Sequence, residues 1–91
     1  MENEKFLIHL CNHIKADLQF QDTEDGIIAI MINRSDNDKL FKIQSLQKKE
    51  KEEACLSIIK QLLSPDLSNH LEFPISSSVE EFKMKINILY P

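Results

Sequence analysis

Along this chain the spacing of apolar residues switches between a helical period and an alternating one, and the order of the switches outlines a fold. Phe6, Leu7, Leu10, Cys11, Ile14 and Leu18 lie on one stripe and predict an amphipathic helix over roughly residues 3–18, with Asn3 as its N-cap. Leu18 and Phe20 then alternate, so Gln19-Phe20-Gln21 starts a first strand. Asp22-Thr23-Glu24-Asp25-Gly26 reads as a tight reversal in which Gly26 supplies a positive-φ position. Ile27-Ile28-Ala29-Ile30-Met31-Ile32 is apolar on both alternating sets. That predicts a central strand covered on both faces, or covered on one face and meeting a partner on the other. Ser35-Asp36-Asn37-Asp38 forms the next turn, and Leu40 to Leu46 returns as a third strand, completing an antiparallel meander.

From about Gln47 the period lengthens again. Ala54, Cys55, Ile58, Ile59 and Leu62 fall on one helical arc, with Leu56 and Leu63 at its edge and Lys49, Glu53 and Lys60 opposite. Pro65 ends this helix, because a helical Ser64 before it is disfavoured and proline has no N–H to donate. In the last third, Leu71, Phe73 and Ile75 alternate around Pro74, as in an edge strand. Phe82, Met84, Ile86, Ile88 and Tyr90 alternate with Lys83, Lys85 and Asn87, which favours a final strand after a short turn at Val79-Glu80-Glu81. A competing reading starts a helix at Ser78 with Glu81 as a capping box and puts Phe82, Ile86 and Leu89 on one face. The favoured outline is a single α+β domain over residues 1–91. It has two layers, an antiparallel meander sheet with two amphipathic helices, in the order α-β-β-β-α-β-β.

Composition narrows the function classes. The chain is 42% hydrophobic and 29% charged, and its single glycine excludes glycine-rich phosphate loops. A formal charge of −4 argues against nucleic acid, whose binding needs a basic face to displace counterions. The polar start Met1-Glu2-Asn3-Glu4-Lys5 does not read as a signal peptide, and the apolar run Ile27–Ile32 is too short to span a bilayer. Cys11 and Cys55 each fall on the apolar side of a helix and read as buried free thiols, which places the chain in the cytoplasm.

Candidate chemistry is sparse. His9 and His13, four apart on the first helix, have the spacing of two ligands of one zinc or nickel ion. Asp17 lies about 12 Å further along the axis than His9, too far to complete that site. Solvated flank histidines are therefore the favoured reading, with a small metal-binding protein as an alternative. Cys55 has only His70 nearby in sequence, and nothing marks it as an activated nucleophile. Asp22, Glu24, Asp25, Asp36 and Asp38 crowd the turns without the twelve-residue oxygen ladder of an EF-hand. As loops they offer an acidic surface to a basic partner. The mixed run Lys48-Lys49-Glu50-Lys51-Glu52-Glu53 suits a solvated first helical turn. No cofactor and no catalytic residue is expected.

The apolar content is high for a chain this short, and a sheet edge or apolar face left open calls for a cover. The order helix, three strands, helix resembles the double-stranded-RNA-binding domain, an alternative weakened by the missing glycine-rich loop and the missing basic cluster at the second helix. Followed by two strands, the same order is similar to small secretion chaperones that dimerise and wrap an extended segment, and to compact kinetochore domains that dock partners. These resemblances imply protein binding. The expectation is a non-catalytic interaction module (adaptor, small chaperone or protein inhibitor), binding another protein or a second copy of itself. It would act through the acidic turns or through the apolar tail, Phe82, Met84, Ile86 and Ile88.

Overall fold

The first helix gives way to strand earlier than its apolar stripe implies. In the computed structural model, which describes residues 1–91, α1 runs Glu2–Ile14 and β1 Ala16–Thr23. Only Lys15 separates them, in a left-handed conformation with φ 55°, its N–H returned to the Cys11 carbonyl. Leu18 fits both periods. The strand claims it because Ala16, Leu18 and Phe20 alternate towards the helices, which the helical stripe alone does not reveal. β2 (Gly26–Asn33) and β3 (Lys42–Gln44) complete a sheet of order β1-β2-β3, antiparallel throughout. The meander expected from the turns is the one observed.

Gly26 plays a different part from the one its turn predicts. Its φ is not positive, and neither Glu24 nor Asp25 adopts positive φ, so the hairpin closes without a left-handed residue. The glycine is needed because a Cβ there would run into the Lys48 carbonyl oxygen. That carbonyl accepts from the Ile27 N–H at 2.7 Å, and the Lys48 N–H donates back to Ile27 at 2.9 Å.

α2 spans Lys51–Leu62 and buries Ala54, Cys55, Ile58, Ile59 and Leu62 as its arc predicts. Pro65 follows its end but does not leave a loop. It stands in the first turn of a third helix, α3 (Pro65–Leu71), where its fixed φ is favourable and its missing N–H costs nothing. The Ser68 hydroxyl donates to the Leu62 carbonyl at 2.6 Å, satisfying one open acceptor at the end of α2. The alternation at Leu71, Phe73 and Ile75 is therefore not an edge strand: Leu71 closes α3, Phe73 is buried in coil and Ile75 is exposed.

The terminal strand is also replaced by a helix, α4 (Val79–Leu89). Ser78 accepts the Glu81 N–H at 3.1 Å, and Glu80 and Glu81 sit in the first turn where the helix dipole favours negative charge. Residues spaced by two also include residues spaced by four, so the alternating run supplied a helical face (Phe82, Ile86, Tyr90) as readily as a strand face. The fold is α+β with four helices and three strands.

α1 packs on β1 and α2 on β2, all on one face of the sheet. α4 lies along α1, with Phe82 edge-to-face against Phe6 at 6.0 Å and against Phe73 at 5.7 Å. One cluster of 18 buried apolar residues joins these layers. No helix is long and apolar enough to cross a membrane.

Glu52, in the first turn of α2, also caps the start of α1, a role expected of Asn3. One carboxylate oxygen accepts the Asn3 N–H and the other the Glu4 N–H at 3.2 Å. Burial pushes the Glu52 carboxyl up, but these two hydrogen bonds, with the N-terminal ammonium and Lys83, hold it below its usual value. A carboxyl lowered in the folded state stabilises above its unfolded pKa and loses that contribution as pH falls through the folded one. Glu52→Gln should therefore cost about 1 kcal/mol near neutrality and less in acid. Urea unfolding at neutral pH and near pH 3 checks this, and an equal cost at both would refute the account.

Candidate functional site: a free sheet edge

In an antiparallel ladder successive residues direct their backbone N–H and C=O groups to alternate sides. On β2, Ile27, Ala29 and Asn33 point towards the β3 side, as their bonds to Lys48, Ser45 and Phe41 show. Gly26, Ile28, Ile30 and Ile32 therefore face β1, where they pair with Thr23, Gln21, Gln19 and Asp17. The backbone groups of Leu18, Phe20 and Asp22 are left on the outer side of β1, which is an edge of the sheet, whereas Ala16, beside the end of α1, is only 1% exposed. No hydrogen bond reaches the outward groups of Leu18, Phe20 or Asp22.

The other edge is treated differently. Behind β3, the Gln44 carbonyl accepts from Gln61 Nε2 at 2.9 Å, and the Leu46 N–H donates to Ser57 Oγ at 3.0 Å. Both partners are side chains of α2. An unpaired edge is a template for another strand, and proteins commonly cover or blunt it. Here the shorter edge is partly taken up by side chains of α2 and the longer one is open.

The uncovered face of the sheet continues from that open edge. Ile28, Ile30 and Ile32 line its centre, half-buried, while Ile27, Ala29 and Met31 are buried under the helices. Gln19 and Asp17 flank Ile30 and Ile32 on one side, Gln44 and Lys42 on the other. Cover on both faces, the first arrangement expected for the central strand, is not observed: the helices cover one face only.

The acidic residues do not converge. Asp22, Glu24 and Asp25 stand at one end of the hairpin, and Asp36 and Asp38 lie beyond the other, with the eight residues of β2 between them. Asp36 approaches Lys15 at 3.8 Å. The tail residues separate as well. Phe82 and Ile86 are 0% exposed and belong to the core, whereas Met84 and Ile88 are 57% and 74% exposed on the opposite side of α4.

The histidines are structural clips. His9 Nε2 donates to the Tyr90 carbonyl at 2.7 Å, and the His13 ring stacks on Tyr90 at 4.9 Å, fixing the end of α4 to α1. His70 Nε2 donates to the Leu40 carbonyl at 2.8 Å. No group of three or more His, Cys, Asp or Glu side chains is placed to hold a metal ion. Cys11 and Cys55 are free and buried, and burial, the main cause, pushes both thiols up to about 12, so they stay protonated.

The open edge was only partly visible in the sequence, because Leu18 was shared with the helical stripe and the strand appeared three residues long. The capping of β3 by Ser57 and Gln61 left no signal, since polar residues on a helix flank have no distinctive spacing. No protein-family model, no curated protein and no solved structure matches this chain.

Proposed function

We propose that this chain is a non-catalytic protein-interaction module that accepts an extended strand along β1. The observation that carries the reading is the contrast between the two edges: β3 is three residues long with its Gln44 carbonyl taken by α2, while the eight-residue β1 leaves the outward backbone groups of Leu18, Phe20 and Asp22 free beside an uncovered face centred on Ile28, Ile30 and Ile32. Main-chain bonds along such an edge supply affinity, and the side chains of the adjoining face supply selectivity. An adaptor or a small chaperone works in this way.

Asp22→Pro isolates the edge, because it removes an outward N–H while leaving the bonds between β1 and β2 intact. Peptides selected from a random displayed library on the wild-type protein should alternate apolar and polar residues. They should bind the folded Asp22→Pro variant about tenfold more weakly, the equivalent of one lost hydrogen bond. Peptides that bind both proteins equally would end the edge reading. Loss on the double variant Asp36→Asn, Asp38→Asn, with steep salt dependence, would move the site to the acidic loop.

A further inference from the structure

We draw no further inference here: the strongest candidate, the shallow apolar groove that Phe73 and Pro74 in the coil after α3 form with Ile88 and Leu89 at the end of α4, is an unpartnered face, and nothing in the structure shows what covers it.

Discussion

Phe82→Ala is expected to cost about 3–5 kcal/mol, a large share of the roughly 5–15 kcal/mol that holds a domain together. The ring is fully buried and meets Phe6 and Phe73 edge-to-face, so its loss opens a cavity in the seam joining α4, α1 and the coil after α3. Met84→Ala should stay within about 0.5 kcal/mol, since that side chain is 57% exposed. Urea unfolding of the pair tests the architecture as well as the packing. In a terminal strand Phe82 and Met84 would share one face and respond alike, whereas in α4 they lie on opposite sides. Similar losses in both variants would contradict the helix.

Gly26→Ala should cost about 1–3 kcal/mol through overpacking against the Lys48 carbonyl. The methyl group cannot be relieved by a flexible side chain, because the obstructing atom is backbone and is tied to Ile27 in both directions. The amides of Ile27 and Lys48 should lose hydrogen-exchange protection before the rest of β2. Asn is the informative second variant. A left-handed glycine is partly rescued by Asn, which tolerates positive φ, but Gly26 does not adopt positive φ. Gly26→Asn should therefore be no better than Gly26→Ala. If Asn restored stability, the close-approach explanation would be wrong.

The parts of the fold that were legible in the sequence are those where one period ran without competition. Ile27 to Ile32 stood between two turn clusters, and the arc through Ala54, Cys55, Ile58, Ile59 and Leu62 had charged residues opposite, so the central strand and α2 were readable. The failures came where one set of residues satisfied two periods. Leu18 sat on both the helical and the alternating pattern, and the strand gained it. From Phe82 to Tyr90 the alternating pattern looked stronger, but the Ser78 cap and the acidic first turn decided the outcome locally, and burial of Phe82 and Ile86 decided it globally. The candidate site was less legible than the fold. A free edge is defined by what does not pair with it, and pairing between distant segments leaves no mark on either one.

The capping of β3 by Ser57 and Gln61 bears on stoichiometry. A sheet with two open edges is a bifunctional monomer, and each addition exposes another edge, so growth has no natural end and runs towards fibres. Here two side chains of α2 take one outward group of the three-residue β3 and one of Leu46 just beyond it, so the second edge offers only a short, interrupted template. A strand added at β1 would leave only that short edge for further growth.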